Sequence, residues 1–303
     1  MAGLRSIAAF EVVTTILKFI PLLFMATVGL LFINSSNFGD FNASGTSWLG
    51  AISAAGAIAL FSYLGIETAS VAAGRVRDPE RNVGRATVLG TLACAAVYIL
   101  GTVTVFGTVA HDDLVGSTAP FSDSADAIFG GHWAGATVAV AAVVSGFGAL
   151  VGWTLIVAEM PRAAALDGLF PSRFAGQSRA GVPAFGIVVS TLLASGLTVV
   201  SFTSFEQVFV TVVLLSVLTS VIPYLLCAAA QLYWLLTEGR RLGFGHLVRD
   251  VVVSGLALAF GFWALAGSGY QAVYYGVFCL LLGVPVYVWV KVRRGVYGAA
   301  AVR

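Results

Sequence analysis

The chain has 303 residues, of which 59% are hydrophobic and only 10% are charged, and its formal net charge is +2. Soluble domains carry about a quarter charged residues, so this composition excludes a water-soluble globular domain. The mean hydropathy of +0.96 indicates a membrane protein. Three cysteines lie in apolar runs, which predicts no disulfide framework and no metal site.

Uncharged apolar runs recur along the whole chain. A helix that crosses a bilayer needs roughly 20 such residues, and the runs predict an all-α integral membrane protein with about eight transmembrane helices. We place these spans near residues 10–34, 47–75, 83–109, 134–160, 182–203, 206–236, 247–267 and 270–291.

The charges in the predicted loops separate by sign. Loops on one side and both chain ends hold the cations Arg5, Arg75, Arg77, Arg81, Arg85, Arg162, Arg173, Arg179, Arg240, Arg241, Arg249, Lys291, Arg293, Arg294 and Arg303. Loops on the other side hold the acids Asp40, Asp112, Asp113, Asp123, Asp126 and Glu206, with no Lys or Arg. Cytoplasmic loops are enriched in Lys and Arg, so we expect a multi-pass protein of the inner (plasma) membrane with both termini cytoplasmic.

Two predicted loops are longer than the others. The segment His111 to Trp133 is the longest on the acidic side, and Arg162 to Pro183 is the longest on the basic side. Within the second loop, Arg162 to Gly168 is a candidate for a short surface helix.

Three stretches of sequence carry a family likeness. They are Phe61 to Val83, then Gly152 to Leu155 with Asp167 to Pro171 and Gly181 to Pro183, and finally Ile222 to Leu225. In order and spacing they resemble the sixth, eighth and tenth spans of amino-acid/polyamine/organocation permeases. The likeness is greatest to the arginine/agmatine antiporter branch.

The resemblance implies a LeuT-type architecture, in which two inverted five-span repeats are followed by two extra helices. By this reading residues 1–303 form a single transmembrane domain that covers spans 5 to 12 only. Residues 10–34 are the last helix of the first repeat, 47–236 the second repeat, and 247–291 the two extra helices. The first four spans, including the first broken helix, are absent, so we expect little uptake by this chain alone.

The second predicted span is the most informative about function, because it contains Gly65 and Glu67. The resemblance implies an unwound stretch near Gly65 and Ile66, whose freed backbone groups need a cavity or protein partners at membrane depth. Substrate charges in such folds meet half-helix ends and unwound carbonyls. The alternative is a continuous helix with a packing glycine, which is common in membrane helices.

Glu67 and Lys18 are ionisable residues inside predicted spans. An intramembrane carboxylate is a functional candidate by default, so Glu67 is a candidate for proton or ion coupling, with a structural anchor as the alternative. Lys18 lies roughly 13 Å deep at 1.5 Å per residue. The resemblance places it where sodium sits in sodium-coupled relatives, which favours sodium-independent transport; snorkelling to the interface is the alternative.

Further candidates for substrate binding or gating come from the resemblance. Phe61 matches a gating tryptophan and keeps a weaker cation–π face, and Leu64 lies one turn away. Trp153 matches a second tryptophan that closes the site from the cytoplasmic side, and Ser216 matches a hydroxyl near the ligand. Ordinary packing is the alternative for each of them.

These observations predict amino-acid transport by a permease or antiporter, arginine/agmatine-like or for another amino acid. The alternative is a truncated, transport-inactive membrane fragment or one half of a split transporter. A membrane enzyme is disfavoured because no catalytic or metal-ligand spacing is present, and no cofactor is expected. The expected partners are an amino acid or its amine product, the lipid bilayer, and a second copy or a missing N-terminal half; no nucleic acid is expected.

Overall fold

The structure is a computed structural model that describes residues 4–68, 77–201, 205–238 and 244–293. The described residues form ten α-helices and contain no β-strand. The helices are α1 (Leu4–Ala26), α2 (Trp48–Phe61), α3 (Pro79–Thr108), α4 (His111–Val115), α5 (Pro120–Phe129), α6 (Trp133–Leu166), α7 (Ala184–Ser201), α8 (Phe205–Glu238), α9 (Phe244–Gly267) and α10 (Gly269–Arg293). The all-α prediction is therefore confirmed.

Within the described residues, six helical segments are long and apolar enough to cross a membrane. They are Val12–Phe32, Arg81–Thr108, Trp133–Leu166, Val208–Thr237, Gly245–Gly267 and Gly269–Arg293. Two shorter apolar helices, Trp48–Phe61 and Ala184–Val199, occupy the positions of the second and fifth predicted spans. The protein is thus a multi-pass membrane protein, and the count of eight spans stays a prediction.

The described chain divides into two compact units. Unit 1 comprises Met1–Ala43 and Ile66–Ser195, and unit 2 comprises Ser44–Gly65 and Gly196–Arg303. The chain passes between the two units at three points, and the one at which it returns from unit 2 to unit 1 is the peptide bond between Gly65 and Ile66.

In unit 1, α1 packs against both α3 and α6. Thr104, near the end of α3, is fully buried and its Oγ1 donates a hydrogen bond of 2.7 Å to the carbonyl oxygen of Met25 at the end of α1. Phe24 stacks on Phe129, with ring centroids 5.3 Å apart, just before α6 begins. Therefore α1 and α3 run in the same direction, and α6 runs antiparallel to them.

A glycine allows the closest approach between α1 and α6. A Cβ atom at Gly148 of α6 would clash with the side chain of Thr14 on α1, which is buried. Small residues at such contacts let two membrane helices approach closely, and this close packing supplies much of their attraction in lipid.

The helix directions place charges of opposite sign at the two ends of unit 1. One end, here called the acidic end, carries Asp40, Asp112, Asp113, Asp123 and Asp126. The other end carries Arg77, Arg81, Arg85, Arg162 and Arg173. Within this unit, the arrangement agrees with the separation of charges predicted from the loops.

In unit 2, α2 and α10 each pack against α8, and α9 packs against both α8 and α2. The buried core of this unit includes the cluster of Val217, Val221 and Ala264. Partly buried residues packed against it are Leu60, Leu64, Leu225, Trp263 and Leu265.

Two local features differ from the sequence-based expectation. The predicted loop after His111 contains α5, whose Ser124 is fully buried and shares a 2.5 Å hydrogen bond with Thr108. The predicted surface helix at Arg162 to Gly168 is wrong as a separate element, because α6 continues through Pro161 to Leu166. Proline removes one backbone hydrogen bond but keeps a φ compatible with a helix, so the helix passes through it.

Candidate functional site

The second apolar segment is interrupted where the sequence predicts. Helix α2 ends at Phe61, and residues 62–67 form turns. The backbone N–H of Tyr63 donates to the carbonyl of Leu60 at 3.0 Å, and that of Leu64 donates to Phe61 at 3.1 Å. Gly65 then has a φ of +107°. The predicted interruption near Gly65 and Ile66 is confirmed, and a continuous helix across these residues is wrong.

Glycine is what permits this interruption. A positive φ is rare for residues with a Cβ atom and costs glycine almost nothing. Beyond it, Thr68 is helical, and residues 69–76, which complete the predicted motif up to Gly74, lie outside the described residues. Irregular backbone of this kind at membrane depth is tolerated where it is buried in protein or lines a cavity.

Four of the eight predicted site residues belong to unit 2. Phe61 is 40% exposed, whereas Leu64 packs against the core of Val217, Val221 and Ala264. Gly65 ends this segment of the unit. On α8, the half-buried Ser216 donates its hydroxyl hydrogen to the carbonyl of Val212 at 2.8 Å. Leu64 therefore has a packing role, and the Ser216 oxygen keeps only its capacity to accept.

The other four predicted site residues belong to unit 1. Ile66 and Glu67 follow the turn and are half-buried, and so is Lys18 on α1. Trp153 on α6 is 41% exposed. Thr14 of α1 and Gly148 of α6 lie at the same level. Lys18 comes four residues after Thr14, and Trp153 comes five residues after Gly148. Because the two helices are antiparallel, Lys18 and Trp153 lie on opposite sides of this level, roughly 13 Å apart along the axes.

The structure therefore does not bring Lys18 and Trp153 to one level of unit 1. That six of the eight residues bind or gate the substrate, and that Glu67 and Lys18 couple a proton or an ion, stays a prediction. Among the described residues, no group of three or more His, Cys, Asp or Glu side chains is placed to hold a metal ion.

A cavity that sequence reasoning missed lies at the acidic end of unit 1. Its volume is about 610 Å³, and its lining includes Asp40, Phe41, Phe106 and His111. The available signal was the run of aromatic and polar residues from Asn37 to Phe41 in the loop between the first two predicted spans.

Fold and site together define a class: a multi-pass α-helical membrane protein in which one helix is interrupted by glycine beside a carboxylate. Interrupted helices of this kind line substrate and ion sites in secondary transporters. The family model for amino acid permeases matches residues 1–291. The chain belongs to the amino acid permease family.

Curated relatives include both polyamine and amino-acid carriers. The chain is 30% identical over 305 residues to a putative arginine/ornithine antiporter of Bacillus subtilis, covering 96% of this chain and 64% of the relative. It is 29% identical over 276 residues to the putrescine transporter PotE of Haemophilus influenzae, covering 90% and 63%. It is 27% identical over 300 residues to an arginine/agmatine antiporter of Chlamydia pneumoniae, covering 95% and 61%. The chain thus spans slightly less than two thirds of the length of these relatives.

Proposed function

We propose that this chain takes part in sodium-independent exchange of a basic amino acid or a polyamine across the plasma membrane, with its termini in the cytoplasm. Membership of the amino acid permease family supports the transport of a small organic solute. The relatives named as arginine/ornithine, arginine/agmatine and putrescine carriers support a cationic substrate.

The interruption of the membrane segment at Gly65 carries this proposal. The segment combines a positive φ, two successive turns and the half-buried Glu67. Interrupted helices of this kind line substrate and ion sites in secondary transporters. The carboxylate of Glu67 beside the interruption places a negative charge where it would attract a cationic substrate.

Lys18 supports the absence of sodium coupling. It is half-buried on α1, inside an apolar segment, and forms no ion pair with any of the residues that the structure describes. A fixed ammonium group in a medium of low dielectric repels a metal cation strongly. We therefore expect the coupling-ion role to be taken by Lys18 itself or by a proton.

The cytoplasmic position of the basic end is part of the same proposal. In unit 1 the arginine residues gather at the end opposite the five aspartates. The positive-inside rule assigns the arginine-bearing end to the cytoplasm.

Membrane vesicles from the cells that express the chain provide the test, because any natural partner is then present. Right-side-out vesicles are loaded with unlabelled arginine, ornithine or putrescine, and uptake of tritiated arginine and putrescine is followed in sodium or choline buffer. We expect uptake to be stimulated by internal substrate, equal in both buffers, lost when the gene is deleted and restored when it is returned. Internal glutamate, which is anionic, is the matched control and should not stimulate uptake.

Two results would contradict the proposal. If deletion of the gene leaves exchange of all three cationic solutes unchanged, the chain does not take part in their transport. If uptake requires sodium, the role proposed for Lys18 is wrong.

A further inference from the structure

The cavity at the acidic end of unit 1 has the size and form of a binding site. Its volume of about 610 Å³ falls within the range of roughly 300–1,000 Å³ that is usual for small-molecule pockets. The loop that follows α1, the last turn of α3 and helix α4 form its walls. The lining residues that matter here are Asn37, Phe38, Asp40, Phe41, Phe106 and His111.

Hydrogen bonds hold the loop wall of this cavity in place. The carbonyl oxygen of Gly107 in α3 accepts two of them, one from the backbone N–H of Asn34 at 2.8 Å and one from Nδ2 of Asn37 at 2.9 Å. The backbone of Gly39 in this loop also lies so close to the His111 ring on the opposite wall that a side chain at position 39 would clash with it. These contacts form the cavity before any ligand arrives, which reduces the ordering cost of binding.

The charges around the cavity select for a cation. Asp40 is the one fully charged residue in the lining, and no Lys or Arg occurs anywhere in residues 19–74 or 86–161 of the sequence. Four further aspartates lie at the same end of the unit, namely Asp112, Asp113, Asp123 and Asp126. A cleft lined by one sign of charge concentrates ligands of the opposite sign and excludes those of the same sign.

The uncharged lining suits a cation attached to a hydrocarbon chain. Phe38, Phe41 and Phe106 contribute three aromatic rings, whose faces attract ammonium and guanidinium groups and whose apolar surface accommodates methylene groups. Nδ2 of Asn37 donates one of its two hydrogens to Gly107, and the Oδ1 of the same side chain adds an acceptor to the lining. Acceptors and aromatic faces match the N–H groups of an organic cation.

From this combination we infer that the cavity binds an organic cation, namely a primary ammonium or guanidinium group carried on a short aliphatic chain. Its lining shares no residue with the eight positions predicted for the substrate site, so it is a second site. The inference that the ligand of this cavity belongs to the transported class rests on the proposed function. The preference of the cavity for positive charge rests on Asp40 and the aromatic rings. Occupied from the acidic end, it would raise the local concentration of substrate beside the transporter.

Protection of an engineered thiol tests this inference directly. Ala43 lines the cavity and is exposed, so Ala43→Cys is introduced into the full chain after Cys94, Cys227 and Cys279 are replaced by serine. The chain is placed in lipid nanodiscs, and the rate of its modification by a charged maleimide is measured with putrescine present. The controls of equal length are 1,4-butanediol, which is neutral, and succinate, which is anionic.

We expect saturating putrescine to slow modification at least about threefold by occupying the cavity, with no effect of the diol or the diacid. Asp40→Asn should raise the half-protecting concentration about fivefold to tenfold, the loss expected for one hydrogen bond to a charged group near the surface. The matched variant Asp113→Asn removes the same charge at the same end but outside the lining. It should change the half-protecting concentration by less than about twofold.

The outcomes separate this site from the proposed function. Equal protection by the diol, no protection by millimolar putrescine, or protection that Asp40→Asn leaves unchanged would each overturn the cation site. If putrescine protects the thiol in a manner that depends on Asp40, but deletion of the gene leaves cellular exchange intact, the site is supported and only the proposed function is contradicted. If deletion abolishes exchange but putrescine gives no protection, the proposed function is supported and the site is contradicted.

Discussion

The hydroxyl of Thr104 donates a hydrogen bond of 2.7 Å to the backbone carbonyl of Met25, and both residues are fully buried. The bond joins the last turn of α1 to α3, 79 residues further along the chain. Because α1 ends there, the Met25 carbonyl has no partner further along a continuing helix, and a side chain from the neighbouring helix supplies one.

Replacing Thr104 by valine should therefore destabilise unit 1. Valine keeps the shape of threonine but leaves the Met25 carbonyl without its donor, which costs about 1–3 kcal/mol for a buried acceptor. Thermal unfolding in detergent measures the loss. Thr91→Val in the same helix is the control, because the Thr91 hydroxyl bonds only to the carbonyl of Thr87 one turn earlier. If both variants melt alike, the bond between Thr104 and Met25 is not important for stability.

A second prediction compares two glycines of α6. A Cβ atom at Gly148 would clash with Thr14 of α1, while one at Gly146 would meet nothing within 4 Å. Gly148→Ala should therefore destabilise the packing of α1 on α6 by about 1–3 kcal/mol, the usual cost of overpacking. Gly146→Ala should be neutral or stabilising by up to about 1 kcal/mol through helix propensity. The difference in melting temperature between the two purified variants measures this, and equal values would contradict the close contact.

A third prediction concerns the two ends of unit 1. Thr118 follows α4 at the acidic end, and Ser172 follows α6 at the arginine-bearing end; both are exposed. Between them α6 runs for 34 residues, or roughly 50 Å at 1.5 Å per residue. Single cysteines at these positions, in a chain without the three native ones, should react with an impermeant maleimide from opposite faces of a sealed vesicle. Reaction of both from one face would refute the proposed topology.

The same thiol measurement decides orientation. In intact cells we expect Thr118→Cys to be labelled from outside and Ser172→Cys only after the membrane is permeabilised, since arginine-rich loops remain cytoplasmic. The opposite pattern would place the arginine-bearing end outside and overturn the proposed localisation of the termini.

Much of the fold could be predicted from hydropathy and charge. The spans expected at 83–109, 247–267 and 270–291 correspond to Arg81–Thr108, Gly245–Gly267 and Gly269–Arg293. Apolar runs of this length have few other stable forms in lipid. The interruption at Gly65 was predictable from the family resemblance, which covers these residues; glycine alone is common in membrane helices and does not predict a break.

What could not be predicted depends on contacts between distant residues. The sequence predicts a loop over α5, because Asp123 and Asp126 lower the hydropathy of this segment. Its order comes from tertiary partners: Ser124 bonds to Thr108, and Asp126 accepts a 2.6 Å hydrogen bond from the backbone of Gly135. The cavity at the acidic end likewise requires Asn37 to meet Gly107, 70 residues away. No local pattern in the sequence carries that information.

The roles of Leu64 and Lys18 show the same limit within the candidate site. Leu64 lies three residues after Phe61, a spacing that predicts a shared helix face. In the structure Leu64 packs against the core of unit 2. A position one helical turn away predicts a shared face only while the helix continues, and α2 ends at Phe61. The sequence predicts ion coupling for Lys18 and gating for Trp153 without placing them in depth, and the antiparallel packing of α1 and α6 sets them at different levels of unit 1.

The last prediction tests whether the interruption at Gly65 is needed for transport. A residue with a Cβ atom at a φ of +107° is strained by about 1–3 kcal/mol, so Gly65→Ala should shift the turn toward helical geometry and remove backbone acceptors from the substrate path. In vesicles from cells lacking the native gene, we expect this variant to insert normally and to exchange arginine or putrescine at least about tenfold more slowly, as a loss of 1.4 kcal/mol or more implies. The control Gly90→Ala lies in α3, where an added Cβ meets nothing within 4 Å, and it should exchange at the wild-type rate. Normal exchange by Gly65→Ala, with equal amounts of both variants in the membrane, would show that the interruption is a packing feature and that the substrate is bound elsewhere.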